Sequence, residues 1–506
     1  MRPAQEGFAG IPQEVRLLFR GLRQLPGIEV EGLIQSSRRR LSSGIPLKKS
    51  LFDLPLSQAR RYGKFSNLII SLAEKPYRNF LDIISEYFER RAERIALQIS
   101  VFSGFGRIKL SKFESFSFED FTWRTFFSKS LPAADFQSVT SANHMVCTIP
   151  WDTLHKVGLA SLNWRKTPKY PKIDTEGIDV FIGQTPYPAR VSDNTRFVIR
   201  YHDAIPVFMP QTIPDKSLHQ ATHFYALTSN VATGAWFSCV SEATRQDLLK
   251  LFPEVEPRAV TIHNMVSHHY YPEESNYDRV PEIIRSRLYE GDVSKKFTAI
   301  PDFFSLREKE NFYLKKLFSK KFRYLIIVST IEPRKNHTRL LAAWEVIKSD
   351  IDPDLKLVIV GVLGWDTVNI TKGFKSWIDR GDLFMISAVP APDLRVLYRH
   401  AVATVCPSLG EGFDFSGVES MRSGGVTVAS DIPVHREIYD DASLYFDPYS
   451  TASLVKVLRE LIYSADSVST QERLRARGEE VSRRYLPEAI LPQWKSFIEK
   501  ITNSPN

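Results

Sequence analysis

Two carboxylates eight positions apart mark the part of this chain that could carry out chemistry. Glu411 stands between two glycines, and the second acid is Glu419. Glycine permits backbone geometry that a side chain would forbid, so the chain can turn there from an apolar strand into a helix capped by Ser416. Glu411 then lies on the loop and Glu419 on the first helical turn, at the carboxyl edge of a sheet. Open α/β sheets bind ligands at that edge, and the free N–H groups of a helix start can receive a phosphate.

Each glutamate also has a purely structural interpretation. Ser416 and Glu419 have the spacing of a capping box, in which the glutamate bonds back to the N–H of the capping residue. A loop glutamate such as Glu411 is more often solvated than catalytic. The loop by itself leaves both interpretations open.

A second candidate segment lies upstream of the first. Residues 324–329 form a short continuous apolar run, which is typical of a strand buried on both faces. The run ends in a turn that contains Arg334 and Lys335, and an amphipathic helix follows. Cations are ordinarily unfavourable beside the positive end of a helix. Their position at this turn therefore indicates a site for an anion such as a diphosphate.

Six segments carry a family resemblance, in this order along the chain: RYHDAIP, FSCVSEATRQDLL, STIEPRKNHTRLLAAWEVI, KLVIVGVLGW, APDLRVLYRHAVATVCPSLGEGF and ESMRSGGVTVASDIPVHREIYDDASLYFDP. Together they resemble the retaining nucleotide-sugar glycosyltransferases of family 4, which have the GT-B fold. The similarity is dense from residue 323 to about residue 480 and thinner over residues 178–266. The segment GEGFDFSGVESM is most similar to the corresponding segment of bacterial polysaccharide and O-antigen mannosyltransferases.

The resemblance implies a role for each candidate residue. Arg334 and Lys335 would stabilise the departing diphosphate. Glu419 would accept two hydrogen bonds from ribose hydroxyls, and Glu411 would contact the donor sugar near the reacting carbon. His202 would reach the donor from the opposite domain, so the cleft must close for catalysis. The other residues that this interpretation assigns to donor binding are Gly412, Phe413, Asp414, Ser416 and Gly10.

The chain also departs from the family pattern. Relatives usually carry an arginine at the position of Thr330, which leaves Arg334 to compensate. Asp414 and Ser416 stand where many relatives have Gly and Pro, a change that could reshape the sugar pocket. Gly10 ends a glycine loop that should follow a first strand, yet only six residues precede this loop. Either the real start lies upstream or the domain lacks its first strand.

Composition agrees with a two-domain enzyme without requiring one. The 506 residues are enough for two sizeable cores, and the charged fraction of 25% is ordinary for a globular protein. The three cysteines lie far apart, which favours a reducing compartment over a disulfide frame or structural zinc. We find no secretory signal and no apolar run long enough to span a membrane. We therefore expect a cytoplasmic protein, with a peripheral position on the inner face of the membrane as an option.

Alternating strands and helices predict a parallel, doubly wound sheet in the C-terminal half. With the resemblance, the expected fold class is α/β, a GT-B arrangement of two Rossmann-like domains that face a cleft. Residues 1–300 would form the acceptor-side domain, with an insertion at about 36–170 that is helical, basic and aromatic. Residues 301–485 would bind the donor nucleotide, and residues 486–506 would form a helix that returns to the N-terminal domain.

The insertion leaves several interpretations open. It begins with Arg38–Arg40, Lys48, Lys49, Arg60 and Arg61, and it continues with many aromatic residues. This mixture could hold the protein at an anionic lipid surface, stack on sugars or stack on bases. The alternative without any binding function places the aromatic residues in the core and the cations in a solvated loop. One hypothesis is that Arg38–Arg40 with Lys48 and Lys49 bind anionic lipid, helped by the net charge of +9.

The expected function is transfer of a hexose, with mannose the leading candidate, from a nucleotide-diphosphate sugar to a glycan or lipid-linked glycan acceptor. No metal cofactor is expected, because Asp352-Pro353-Asp354 and Asp440-Asp441 lie in surface loops and the histidines lack ligand spacing. The alternatives are an epimerase, a phosphorylase, a nicotinamide dehydrogenase and a non-catalytic basic protein that binds membrane or nucleic acid. The dehydrogenase lacks its GxGxxG fingerprint, and nucleic acid is the less favoured partner. The sequence names neither the nucleobase, the sugar nor the acceptor.

Overall fold

The structure is a computed structural model of the chain and describes residue 4 and residues 10–47, 56–73, 79–291 and 297–504. Three sheets form the framework, one with six strands and two with four. The strands in chain order are β1 (Gly32–Ile34), β2 (Ile45–Pro46), β3 (Ser111–Glu114), β4 (Asn143–Val146), β5 (Val180–Gly183), β6 (Arg196–Tyr201), β7 (Trp236–Cys239), β8 (Ala259–Thr261), β9 (Tyr324–Val328), β10 (Lys356–Val360), β11 (Leu383–Ile386), β12 (Ala403–Cys406), β13 (Thr427–Ser430) and β14 (Ser443–Phe446).

Helices surround these sheets. Those of the N-terminal half are Gly10–Arg23, Gln58–Ala73, Phe80–Ser103, Glu119–Thr122, Phe136–Thr140, Trp151–Ala160, Ile205–Phe208, Lys216–Ala232, Glu242–Leu251 and Arg279–Ser286. Those of the C-terminal half are Leu306–Tyr313, His337–Asp350, Val368–Arg380, Ala391–His400, Phe415–Arg422, Pro433–Tyr439, Thr451–Tyr463, Ser467–Ser482 and Pro487–Asn503. In the described ranges, no helix combines the length and the apolar composition that crossing a bilayer requires.

The six-stranded sheet has the order β11-β10-β9-β12-β13-β14, and all its strands are parallel. Successive residues of β9 enter two different cores, because Ile326 belongs to one apolar cluster and Leu325 and Ile327 to another. Helices therefore cover both faces of the sheet, as the continuous apolar runs predict. The predicted α/β class with parallel sheets is confirmed.

The N-terminal half holds the parallel sheet β5-β6-β7-β8 and the mixed sheet β1-β4-β3-β2. The insertion contains helices, such as Phe80–Ser103, and also the strands β2, β3 and β4. β4 pairs in parallel with β1 and in antiparallel with β3. The insertion is therefore joined to β1 by the hydrogen bonds of a shared sheet. Several of its aromatic side chains are core residues, and those below 2% exposure are Phe65, Phe113, Phe126, Phe127 and Tyr170.

The last helix, Pro487–Asn503, lies against the N-terminal half. Its side chains Trp494, Phe497 and Ile501 share an apolar core with Val15 and Leu18 of the helix Gly10–Arg23. The domain boundaries at residues 300 and 485 stay a prediction. The carboxyl ends of β6, β9 and β12 meet between the two halves, because the loop after β12 contacts the residues that follow β6. That meeting point holds most of the candidate residues.

Candidate active site

The two candidate segments of the C-terminal half are fixed to each other by backbone and side-chain hydrogen bonds. The short helical turn Pro333–Lys335 ends at Asn336, whose φ of 57° lies in the left-handed region. The Asn336 amide donates to the carbonyls of Pro407 and Pro448, both at 3.0 Å. Leu409 N–H donates to the Arg334 carbonyl at 2.9 Å. The basic turn and the Glu411 loop therefore form one rigid corner.

Glu411 lies between the two cations of this corner. One carboxylate oxygen is 2.6 Å from Arg334 Nη1, and the other is 2.5 Å from Lys335 Nζ. The Glu411 side chain is only 5% exposed. Burial raises the pKa of Glu411, but the charges of Arg334 and Lys335 outweigh burial and leave the pKa below its usual value. The carboxylate is therefore ionised, and it already occupies the cations that a diphosphate would need.

Glu332 belongs to the same cluster, and sequence reasoning missed it. Its carboxylate accepts a hydrogen bond from Arg334 Nη2 at 2.7 Å, and the residue is 3% exposed. Burial raises the pKa of Glu332 against the opposing effect of Arg334. Arg334 also donates to the carbonyl of Gly410 at 2.7 Å. An acid in the turn that follows the buried strand β9 was the available sign, but in this turn the resemblance assigned roles only to the two basic residues Arg334 and Lys335.

The opposite half of the protein reaches this corner through His202 and Asp203, which follow β6. A Cβ placed on Gly412 would lie 1.7 Å from the His202 carbonyl oxygen, so this position has no room for a side chain. Asp203 adds a third acid to the corner. Burial lowers the pKa of Arg334, but the charges of Glu411, Glu332 and then Asp203 outweigh burial and raise the pKa. The structure therefore brings Glu411, Gly412 and Arg334 together with His202.

His202 has one ring nitrogen available for a ligand. The residue is 8% exposed, and its Nε2 has no hydrogen-bond partner in the described part of the chain. Burial, assisted by the charge of Arg200, lowers the pKa of His202 to about 3, while a hydrogen bond to the Gln184 backbone acts in the opposite direction. The imidazole is therefore neutral at pH 7, and its Nε2 can accept a hydrogen bond from a hydroxyl.

Glu419 lies apart from the cations, in a buried pocket of polar groups. Its Oε1 accepts a hydrogen bond from Gln13 Nε2 at 2.8 Å, and its Oε2 is 3.4 Å from the Tyr398 hydroxyl. Burial raises the pKa of Glu419 to about 7, although hydrogen bonds from Gln13 and Tyr270 act against the rise. Since Gln13 comes from the N-terminal helix Gly10–Arg23, Glu419 joins the two halves of the protein.

A buried ion pair positions that N-terminal helix. Arg200 Nε lies 3.0 Å from the Glu14 carboxylate, and both side chains are at most 1% exposed. Arg200 also donates to the Ser238 hydroxyl at 2.8 Å and to the Asn264 side chain at 2.7 Å. The arginine of the RYHD segment is thus a structural residue that fixes Glu14, and with it the neighbouring Gln13.

The capping-box interpretation of Glu419 is wrong. The helix is Phe415–Arg422, which begins two residues earlier than expected, and its cap is Asp414, whose side chain accepts a hydrogen bond from Ser416 N–H at 3.1 Å. Ser416 instead donates its hydroxyl to Asp414 at 2.6 Å. Although burial opposes it, a hydrogen bond from His435 holds the pKa of Asp414 far below its usual value. An anion therefore already occupies the helix start that was expected to receive phosphate.

Two further candidate residues lie in structural positions. Phe413 is a core side chain, with its ring 5.1 Å from that of Phe415 and 5.4 Å from that of Tyr485. Gly10 is exposed, has a φ of 43° and opens the helix Gly10–Arg23. The rest of the proposed glycine loop, residues 7–9, lies outside the described residues. The donor-binding roles of Phe413, Gly10, Asp414 and Ser416 stay predictions.

The acidic pairs considered for a metal are engaged by cations. Asp352 lies 2.7 Å from Arg323, and Asp354 lies 2.7 Å from Lys320. Asp440 lies 3.1 Å from Arg484. Across the ranges that the structure covers, no group of three or more His, Cys, Asp or Glu side chains is arranged to hold a metal ion.

Comparison with known proteins places this corner in a family context. The chain is 29% identical over 155 residues to O-antigen chain mannosyltransferase B of Escherichia coli, which is 31% of this chain and 40% of that protein. It is 30% identical over 136 residues to the serotype-specific mannosyltransferase WbdA of E. coli, which is 27% of this chain and 17% of that protein. The similarity thus spans less than half of either relative.

Among solved structures, sucrose-phosphate synthase of Thermosynechococcus elongatus matches with a TM-score of 0.49 and 16% identity, over 71% of this chain and 84% of that one. A family model described as "Glycosyl transferases group 1" matches residues 308–481. This range contains Arg334, Lys335, Glu411 and Glu419. Residues 308–481 are therefore similar to the glycosyl transferases group 1 family.

Proposed function

We propose that the protein is a retaining glycosyltransferase that moves a hexose, with mannose the leading candidate, from a nucleotide-diphosphate sugar to a glycan or lipid-linked glycan. The observation that carries the proposal is the corner at which Glu411 lies between Arg334 and Lys335, directly against the His202 segment of the opposite half. The two mannosyltransferase relatives support mannose, and the O-antigen chain mannosyltransferase supports a role in bacterial polysaccharide biosynthesis.

The proposed chemistry depends on charge at the leaving group. When the glycosidic bond to a nucleotide diphosphate breaks, negative charge develops on the diphosphate, and fixed cations in a water-poor site stabilise it strongly. Arg334 and Lys335 are held in place for this task by Glu411, Glu332 and the carbonyl of Gly410. Since these two cations can neutralise the diphosphate, we propose that transfer needs no metal.

The carboxylate of Glu411 has a second task once a diphosphate has taken one of the cations. The charges of Arg334 and Lys335 lower its pKa, so it stays ionised while a cation remains beside it, and it can then accept hydrogen bonds from hydroxyls of the donor sugar. His202 Nε2 can accept a hydrogen bond from a further hydroxyl of the donor sugar, from the other side of the cleft. Glu419 is the proposed acceptor for the ribose hydroxyls, in exchange for Gln13. We propose a cytoplasmic location, since the three cysteines are free and buried.

Two measurements test the proposal in sequence. Thermal unfolding with GDP, UDP, ADP and their sugars identifies the donor, because a ligand at 100 times its dissociation constant stabilises by about 2.7 kcal/mol. The donor that stabilises the protein is then incubated with oligosaccharide acceptors in the presence of a chelator, and the anomeric configuration of the product is read by NMR. Absence of any stabilisation by nucleotides together with absence of transfer would overturn the proposal, and an inverted product would overturn retention.

A further inference from the structure

The helix Phe80–Ser103 exposes an unusual amount of apolar surface. Of the 27 large apolar side chains that are exposed in the described ranges, ten lie between residues 80 and 105. Phe80, Phe88 and Phe102 are 72%, 62% and 72% exposed. Contiguous apolar surface of this kind marks an interaction site in a soluble domain.

The exposed side chains lie on one side of the helix. With 3.6 residues per turn, a single stripe runs along its length, and we call it the apolar face; its members are Phe80, Ile84, Tyr87, Phe88, Ile95, Ile99 and Phe102. The helix is attached to the protein by another side, where Val101 is 2% exposed and Leu97 packs on a core cluster. The apolar face is therefore turned outward from the domain.

The acidic residues of this helix lie on a different side from the apolar face. Asp82, Glu86, Glu89 and Glu93 recur at helical spacing. Arg40 lies 3.0 Å from Glu89 and 3.5 Å from Glu93, and Glu86 is paired with Arg90. The apolar face itself carries the cation Arg91, whose long side chain can extend toward water while its stem stays on apolar surface. Negative charge is thus kept away from the outward side.

Further cations lie at the C-terminal end of the apolar face. The Phe102 ring contacts the Trp164 ring at 5.3 Å, and the Arg165 guanidinium lies 5.8 Å from the centre of Trp164. Lys169 Nζ would be 3.9 Å from a Cβ on Gly104, which places this ammonium beside the end of the helix. The pKa of Lys169 is lowered by burial and then by the charges of Arg190 and Arg165, which shows that positive charge is concentrated here.

We propose that the apolar face of Phe80–Ser103 lies in the surface of a membrane that contains anionic lipids, with Arg165, its exposed chain neighbour Lys166 and Lys169 against the headgroups. An interfacial helix has an apolar side for the acyl boundary and a polar side directed to water. Here the outward side is aromatic and aliphatic, the neighbouring rim is cationic, and the acids are turned away. This charge distribution is complementary to an anionic surface and favours lipid over neutral apolar partners.

This surface differs from the one that the sequence suggested. Arg40 is engaged by Glu89 and Glu93, and Arg38 lies 3.3 Å from Asp152. Lys48 and Lys49 lie outside the described residues. The earlier set of five cations therefore includes two that are already paired with acids. Membrane contact through the apolar face does not depend on sugar transfer, so the two proposals can fail separately.

Flotation of the full chain with vesicles tests the proposal. We expect binding to vesicles of phosphatidylcholine with phosphatidylglycerol, weaker binding to them at high salt, and weaker binding to phosphatidylcholine alone. The double variant Phe88→Asp with Ile95→Asp should lose at least about 100-fold in partitioning, since burial of each side chain contributes roughly tenfold or more. Both residues are exposed, so the variant should fold. The matched control is Phe304→Asp with Leu306→Asp, at residues 102% and 80% exposed elsewhere, and it should bind as the wild type does.

A second pair of variants tests the charge. Arg165→Gln with Lys166→Gln should reduce binding to the anionic vesicles by about 25-fold, at about fivefold per cation, and the exposed control pair Lys456→Gln with Arg459→Gln should not. Unchanged partitioning of the apolar-face variant would overturn the proposal. Equal binding to neutral and anionic vesicles would also overturn it. A dimer of the wild type that the apolar-face variant dissociates in sedimentation, without any vesicle binding, would assign the face to a second copy of the chain instead.

Discussion

Replacing Glu411 by glutamine should strengthen binding of a free nucleoside diphosphate while it abolishes sugar transfer. The Glu411 carboxylate holds Lys335 Nζ at 2.5 Å and Arg334 Nη1 at 2.6 Å, so a diphosphate must take at least one cation from it. A charge-assisted hydrogen bond contributes about 1.5–3 kcal/mol. Glutamine keeps one acceptor oxygen and replaces the other by an NH₂ donor. Removing one competing bond corresponds to about 10- to 100-fold tighter binding.

The assay is calorimetric titration of GDP, UDP and ADP in the absence of acceptor, so that no turnover interferes. A double-mutant cycle with Lys335→Ala isolates the competition, because coupled residues give non-additive changes. In the Lys335→Ala background the gain from Glu411→Gln should shrink, since only Arg334 remains to be released. Glu332→Gln is the matched control: this acid is bonded to Arg334 and lies in the same turn, and its replacement should strengthen binding less than Glu411→Gln does.

Two results would refute this reasoning. Wild-type or weaker affinity of Glu411→Gln for all three nucleotides would show that the carboxylate does not compete for the cations. An equal gain in both backgrounds would show that Lys335 takes no part in the competition. Thermal unfolding must accompany the titration, because loss of a bond inside this buried cluster should also lower stability by about 1.5–3 kcal/mol.

Three further predictions concern this corner and the nearby Glu419. Lys335→Ala should weaken nucleoside diphosphate binding by about 10- to 100-fold in calorimetry, because one charge-assisted bond is lost. Since the pKa of Glu419 is raised to about 7, its stabilising contribution is present below the unfolded pKa of about 4.5 and is lost as pH rises through about 7. Wild-type stability should therefore fall relative to Glu419→Gln between about pH 5 and about pH 8 in thermal unfolding, and equal pH profiles would contradict this pKa. Gly412→Ala should lower kcat/KM and thermal stability, because its Cβ would meet the His202 carbonyl at 1.7 Å, whereas Gly410→Ala meets a flexible methionine end and should be tolerated.

The C-terminal strand β9 could be predicted from sequence because it is an apolar run that is buried on both faces. Leu325 and Ile326 enter different cores, and no polar residue interrupts the pattern between Tyr324 and Val328. The insertion strands lack such a pattern. β4 reads Asn-His-Met-Val, and its His144 is fully buried because it stacks near Phe126 and bonds to the Ser115 hydroxyl. Contacts of that kind depend on distant residues, so a local pattern could not indicate them.

The residue types of the site could be predicted from sequence, but the hydrogen-bond partners of these residues could not. Asp414 and Ser416 are both good capping residues, and local sequence does not decide between them. The contact of Asp414 Oδ2 with His435 Nε2 at 3.4 Å and the bond from the Ser416 hydroxyl fix Asp414 as the cap. The same limit applies to Glu419, whose partner Gln13 comes from the other end of the chain. Motif spacing identified these acids, but only tertiary structure shows what holds them.

The contacts between the two halves describe a closed cleft, which has a consequence for the order of events. Glu437 accepts hydrogen bonds from two N–H groups at the start of the helix Glu242–Leu251, at 2.6 and 2.8 Å, and from His263 at 2.7 Å. Gln13 occupies Glu419 in the same arrangement. A ribose can reach Glu419 only after Gln13 has left, and Gln13 belongs to the half that must move when the cleft opens. On the proposed role of Glu419, donor entry therefore requires opening, and the contacts made by Glu437 are the ones that closure restores around the bound sugar.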